Sequence, residues 1–189
     1  MYRGIDLKNL TWICRPKRYA ESSGKLILET EPFTDLRPAG KSAEAIELSF
    51  APEGSFCFTM RVDFDYHAVF DQCGMILYNG SERKAILGTE CMDAELTRLQ
   101  CTVFHGGKGD RSLRDIGSRI RTMYYRTWYR GGAVRMQYSF SGKRYSDFRE
   151  FMINPKEIIS LGIFACSPGD SYFDCTFSGM SLQEEEINQ

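Results

Sequence analysis

Histidine is nearly absent: the 189-residue chain holds two, His67 and His105, and neither comes with the ligand set that a metal site needs. No C-x-x-C pair occurs among the cysteines at 14, 57, 73, 91, 101, 166 and 175, which excludes a zinc knuckle or a thioredoxin-like site. Their number is odd, and no charged-then-apolar leader opens the sequence. Together these absences predict a cytoplasmic protein whose thiols serve as small core hydrophobes, with Cys57 the more exposed one. No apolar run approaches the ~20 residues of a membrane helix, so no membrane association is expected. Net charge is −1, too little for a field that would draw the chain to nucleic acid. No stretch longer than about ten residues carries a helical apolar stripe.

What the chain does have is aromatic residues, thirteen Phe and ten Tyr, which favour strands. Phe56, Phe58, Met60, Val62 and Phe64 alternate with Cys57, Thr59, Arg61 and Asp63, the pattern of a half-buried strand. Further strands are predicted over 26–30, 45–50, 74–78, 84–91, 96–104, 120–129, 133–140, 159–166 and 172–177. Asn79-Gly80 marks a hairpin, and Gly131-Gly132 and Ser141-Gly142 mark tight turns. The pattern stops at Gly106-Gly107-Lys108-Gly109-Asp110-Arg111-Ser112, which reads as a long loop lacking Walker spacing. Asn154 and Pro155 would open one helical turn, and Glu184-Glu185-Glu186 reads as a frayed end. Many short strands with regular turns predict an all-β fold, a two-sheet antiparallel sandwich forming one domain over residues 1–189.

Four phrases, Phe70-Asp71-Gln72-Cys73-Gly74-Met75, Lys84 through Gly88 to Glu90, Gly162-Ile163-Phe164-Ala165-Cys166-Ser167-Pro168 and Thr176-Phe177-Ser178, carry a resemblance. In order and spacing they resemble the bacterial and fungal family called domain of unknown function 1349, from about Trp12 to Met180. The resemblance implies a concanavalin A-like jelly roll whose larger sheet curves around a groove. In that wider superfamily, lectins and glucanases hold oligosaccharide there. The chain departs from the family at Thr34-Asp35-Leu36-Arg37, which loses an aromatic, and at Cys101-Thr102-Val103-Phe104 with its glycine loop. Ligand preference is altered if those positions line the groove, since fold alone does not carry function.

Three constellations bear on chemistry. Lys84, Ile86, Gly88 and Glu90 share one strand face, where an ammonium and a carboxylate bracket a gap opened by glycine. The competing reading is a cross-strand surface pair worth ~0–1 kcal/mol. Tyr124, Arg126 and Trp128 share a face with Arg135, Gln137 and Ser139 of the next strand, a mixture suited to the C–H face and hydroxyls of a pyranose. The competing reading is a solvated face half covered by loops. The expected ligand is therefore a carbohydrate or related polyol, contacted by Gln72, Lys84, Glu90, Tyr124, Arg126 and Trp128, with Asp71 organising its turn. No catalytic constellation is defined; a sugar-active enzyme would use Glu90 with an unidentified partner or His105, whose imidazole titrates near neutrality. Asp93 points away from Glu90, against a retaining-glycosidase pair. A protein-interaction domain using the same face is the third reading, and self-association is left open. No cofactor is expected; a structural calcium would draw on Asp63, Asp65, Asp71 and Asn79. The sequon Asn79-Gly80-Ser81 is accounted for by its turn.

Overall fold

Backbone pairing follows the alternation, and a computed structural model describes residues 2–36, 43–106 and 108–185. In chain order the strands are β1 (Tyr2–Gly4), β2 (Thr11–Cys14), β3 (Arg18–Ser22), β4 (Lys25–Glu29), β5 (Thr34–Asp35), β6 (Ala43–Glu44), β7 (Ile46–Phe50), β8 (Ser55–Phe64) and β9 (Gln72–Asn79). They continue with β10 (Glu82–Cys91), β11 (Leu96–His105), β12 (Lys108–Gly117), β13 (Thr122–Arg130), β14 (Ala133–Ser139), β15 (Ser146–Met152), β16 (Ile159–Cys166) and β17 (Asp174–Glu185). One 3-10 turn, Leu7–Asn9, is capped by the Asp6 side chain.

Two antiparallel sheets form a sandwich. The larger has eight strands, β15-β14-β13-β8-β17-β4-β3 with β1 beside β17; the smaller has seven, β12-β11-β10-β9-β16-β7-β2. The alternating residues of β8, Phe56 to Phe64, are buried against Met75, Leu77, Leu87, Leu99 and Ile163 of the other sheet. Burying one face fixes register, because a one-residue slip would send every one of those rings to solvent. The outer face of the smaller sheet carries a second, satellite cluster, in which Leu36 and Ala45 lie with Ile76, Ile86 and Phe164.

Several expectations are corrected. The glycine-rich segment is a hairpin: His105 pairs with Lys108 and Phe104 with Gly109, and β12 continues to Gly117. It was hidden because β12 is an edge strand, exposed on both faces and therefore charged rather than alternating. Gly107 lies outside the described residues, as does Arg37 of the departing phrase. No helical turn follows Asn154; its Oδ1 accepts from Lys156 N at 3.1 Å and closes a simple turn. Glu184 and Glu185 pair with Phe56 and Ser55 in the sheet, while Glu186 lies outside the described residues. Phe140, expected in the core, is exposed just past the end of β14. Cys57 is fully buried although it faces outward, a small side chain flanked across the ladder by Trp128 and Gln183.

The seven cysteines form no disulfide. Burial raises the thiol of Cys101 to about 12 and pushes Cys166 and Cys175 well above the usual range. Half-buried Cys14 and Cys91 are also raised, first by burial and then by nearby carboxylates. Thiolate is the reactive form, so none of these five is an activated nucleophile. Titration with a thiol-specific reagent at pH 8 is expected to modify at most Cys14 and Cys91 in the native protein, and all seven after denaturation. Fast labelling of a third thiol before unfolding contradicts this packing.

Candidate functional site

Outward-facing residues of the smaller sheet converge where β9, β10, β11 and β12 run side by side. Gln72 opens β9 and lies directly across the ladder from Glu90 near the end of β10. Gln100 lies on β11 opposite Gly88, and Arg111 on β12 opposite Thr102. Arg111 reaches back along the sheet, so its Nη2 donates to Gln100 Oε1 at 2.7 Å and to Glu90 Oε2 at 3.0 Å. Gln100 Nε2 in turn donates to Gln72 Oε1 at 3.1 Å, and Gln72 Nε2 donates to the carbonyl of Phe70 at 3.4 Å. Burial makes this continuity necessary, since Gln72, Glu90 and Gln100 are each less than a tenth exposed and unsatisfied polar groups there are costly.

Over this quartet lies an open cavity of about 180 Å3, walled by Asp35, Leu36, Phe70, Ile86 and Pro168. Phe70 is half exposed at its rim and adopts a φ of 73°, a left-handed conformation that costs a bulky residue energy. Two contacts hold it there. Its N–H donates to Cys91 O at 2.8 Å, and the preceding turn is fastened by Asp71, whose Oδ2 accepts from His67 N at 3.0 Å and Ala68 N at 2.8 Å. Asp71 is fully buried and organises its turn, as expected.

The six residues expected to line one groove divide between two faces. Gln72 and Glu90 meet in the cavity. Lys84 lies on the same sheet but six residues from Glu90, about 20 Å away at ~3.3 Å per residue. It faces His105 instead, with Nζ 3.4 Å from Nδ1. Tyr124, Arg126 and Trp128 belong to the larger sheet, whose outer face is the opposite side of the sandwich. Alternation shows which residues share a face of a strand, but not which sheet the strand joins.

The polar faces of β13 and β14 meet as expected, and the register, which the sequence left open, pairs Tyr124 with Ser139, Arg126 with Gln137 and Trp128 with Arg135. Its side chains are engaged within the protein. The Arg126 guanidinium lies 3.6 Å from the centre of the Tyr145 ring, and Trp128 Nε1 donates to Gln137 Oε1 at 3.1 Å. The turn at Gly142 presses on Tyr124 so closely that an added Cβ would come within 2.8 Å of the ring.

The gap expected at Gly88 is filled. Gly74 and Gly88 face each other, and a Cβ on Gly88 would meet Cys73 O at 2.4 Å and the Phe164 ring at 3.0 Å. The two catalytic candidates also separate. Glu90 pairs with Arg98 on β11, and His105 lies seven residues further along, about 23 Å at ~3.3 Å per residue. Asp93 turns the β10–β11 hairpin by accepting from Glu95 N and Leu96 N, both at 2.8 Å.

Of the residues considered for calcium, Asp63, Asp65 and Asn79 serve other partners, while Asp71 fastens its turn through Oδ2 and its Oδ1 is buried without a hydrogen-bond partner. Asp63 binds Arg61 and Thr122, Asp65 pairs with Arg121, and Asn79 exchanges two 3.0 Å bonds with the backbone of Asn154. That exchange, with Asn79 buried, also withdraws the sequon's amide. Among the described residues no group of three or more His, Cys, Asp or Glu is placed to hold a metal, and no helix is long and apolar enough to cross a membrane.

Sequence reasoning missed Gln100 and Arg111. Gln100 was detectable, because Arg98, Gln100 and Thr102 put a polar stripe on one face of an otherwise apolar strand. Arg111 was not, since its strand read as loop.

Comparison with known proteins agrees with this architecture. The chain is 26% identical over 184 residues to Regulation of enolase protein 1 of Saccharomyces cerevisiae, covering 95% of this chain and 92% of that one. A crystal structure of a functionally unknown protein from Saccharomyces cerevisiae superposes with a TM-score of 0.85 at 25% identity, over 96% of this chain and 100% of that one. The GH43 BlXynB protein of Bacillus licheniformis superposes with a TM-score of 0.67 at 14% identity; 96% of this chain corresponds to 37% of it, and the likeness shows the fold alone. These neighbours share the two-sheet β-sandwich fold. Matched by the family profile from residue 12 to residue 185, the chain belongs to DUF1349, a family of proteins of unknown function.

Proposed function

We propose that the protein binds a neutral carbohydrate or related polyol in the cavity above Gln72, Glu90, Gln100 and Arg111, without transforming it. The observation that carries this reading is the quartet itself: planar polar side chains, buried and mutually oriented, forming the floor of a cavity that remains open. Each Gln amide has two N–H donors and two carbonyl lone pairs, and the internal bonds consume only part of that capacity. Among the described residues no hydrogen bond reaches Glu90 Oε1, leaving an acceptor for a hydroxyl. The Arg111 guanidinium is engaged by Glu90 and Gln100, so no unneutralised cation awaits an anionic ligand. Phe70 supplies an apolar edge at the rim, against which the C–H face of a sugar packs. The fold neighbours named as a GH43 protein of Bacillus licheniformis and an alginate lyase of Klebsiella pneumoniae lend the sugar reading support by analogy only. Seven thiols without a disulfide support a cytoplasmic setting.

Calorimetric titration with a panel of neutral monosaccharides is expected to give saturable binding by the parent. Trp128→Ala, on the other face, is expected to bind the same sugar with affinity within about twofold. A folded parent that binds no panel member ends the proposal, and loss of binding in Trp128→Ala moves the site to the larger sheet.

A second reading draws on the rim. Phe33, Val69, Phe70 and Tyr172 are exposed on three segments tied together by the Phe33 N to Gly169 O bond and by the contact of the His67 and Tyr172 rings. A patch of this kind suits a protein surface, and the yeast relative's name makes enolase the partner to try. Cosedimentation with enolase that disappears in Phe70→Ser favours this reading; independent sedimentation of the two proteins removes it.

A further inference from the structure

The outer face of the smaller sheet does not continue as a groove beyond the quartet. Leu36 and Ala45, almost wholly buried, fill it together with Ile76, Ile86 and Phe164. The segment carrying Leu36 is pinned to the sheet on both sides. Arg83 of β10 donates to the Leu36 carbonyl and pairs with Glu47 of β7, a carboxyl that burial pushes up against the opposing pull of that guanidinium. Thr34 N donates to Ser167 O at 3.0 Å, Ser167 N donates to Thr34 Oγ1 at 3.0 Å, and Ala45 N donates to Asp35 O at 3.0 Å. Phe70 and Pro168 close the other end of the cavity. Lys84 and His105, which could serve a second ring along the same strands, lie beyond the plug.

We infer that the cavity admits one sugar ring, either a free monosaccharide or the terminal residue of a chain, and excludes the interior of a polysaccharide. The inference rests on the polyol reading above and narrows it. The cavity volume is about 180 Å3. It falls short of the ~300 Å3 at which pockets begin to take drug-sized molecules. A chain laid along the strands in either direction meets packed side chains instead of hydroxyl partners.

The test is a length series on the unaltered protein, so no variant has to fold. Saturation-transfer NMR and calorimetry would be run with glucose, galactose, mannose, xylose and arabinose, and with linear trisaccharides of the same sugars. For whichever sugar binds, the trisaccharide is expected to bind within about threefold of the monosaccharide or more weakly. Comparable affinity shows that a chain end enters; weaker affinity by tenfold or more shows that only the free sugar does. An affinity that climbs tenfold or more from one ring to three overturns the one-ring inference while leaving the sugar site standing. Absence of binding by every member overturns both.

Discussion

Gly162→Ala is expected to lower the melting temperature by roughly 6–12 °C or to yield little native protein, at a cost of about 3 kcal/mol or more. A methyl group at this position would stand 1.7 Å from Leu48 O, 2.7 Å from Leu48 C and 2.7 Å from Ser49 Cα. Every one of those atoms is backbone, so no side-chain rotation relieves the clash. The strand bearing Gly162, β16, is hydrogen-bonded to β9 on one side and β7 on the other. Moving it away from Leu48 stretches one ladder and compresses the second. Overpacking usually costs ~1–3 kcal/mol because neighbours adjust, and here they are held in place. Against a total stability of ~5–15 kcal/mol that is a large fraction. Gly169→Ala, where nothing lies within 4 Å, is the control and is expected to melt with the parent. A Gly162→Ala protein that melts within about 3 °C of the parent refutes the close approach of β7 and β16.

The same sheet shows which parts of the molecule the sequence could reveal. Strand β8 was legible because one of its faces is buried along its whole length, and that burial writes period two into the residue types. The β9–β10 hairpin was legible through Asn79-Gly80, with Gly80 at a φ of 64°. Matching polar faces showed that β13 and β14 share an outward surface, although not the register in which they pair. The edge strands β12 and β15 were not legible: β12 is exposed over most of its length, and on β15 only the half-buried Phe148 and Phe151 reach the core, three residues apart and so off a period of two. Arg111 was lost with β12. The site failed for a separate reason: joining Glu90 to Trp128 required knowing which sheet each strand enters, and that is decided by long-range pairing. Gly88 shows the same limit at a single residue. It looked like an opening when viewed along its own strand, but Phe164, 76 positions away in sequence, lies over it.

Arg111→Ala is expected to weaken sugar binding by about 30- to 1,000-fold, equivalent to ~2–4 kcal/mol, while leaving the fold intact. One nitrogen of this guanidinium joins the two halves of the cavity floor, Glu90 on β10 and Gln100 on β11. Without it the Glu90 carboxylate, its side chain 11% exposed, loses its ion-pair partner. The Gln100 carbonyl loses its donor, and its amide becomes free to turn, releasing the bond that orients Gln72. A ligand would then have to reorder three side chains that the parent presents ready-made, and that ordering is subtracted from affinity. Stability should change far less. Arg111 is a third exposed on an edge strand, so solvent screens its pair with Glu90 to ~1 kcal/mol or below. Arg111→Lys sharpens the test, because a flexible ammonium restores the charge but not the planar, pre-organised guanidinium whose Nη2 donates to both acceptors. Its affinity is expected to fall between parent and alanine variant. Melting curves and calorimetry on the three proteins check both halves of the argument. An alanine variant that melts with the parent and still binds the same sugar within threefold would show that the quartet is internal bracing and that any ligand sits elsewhere.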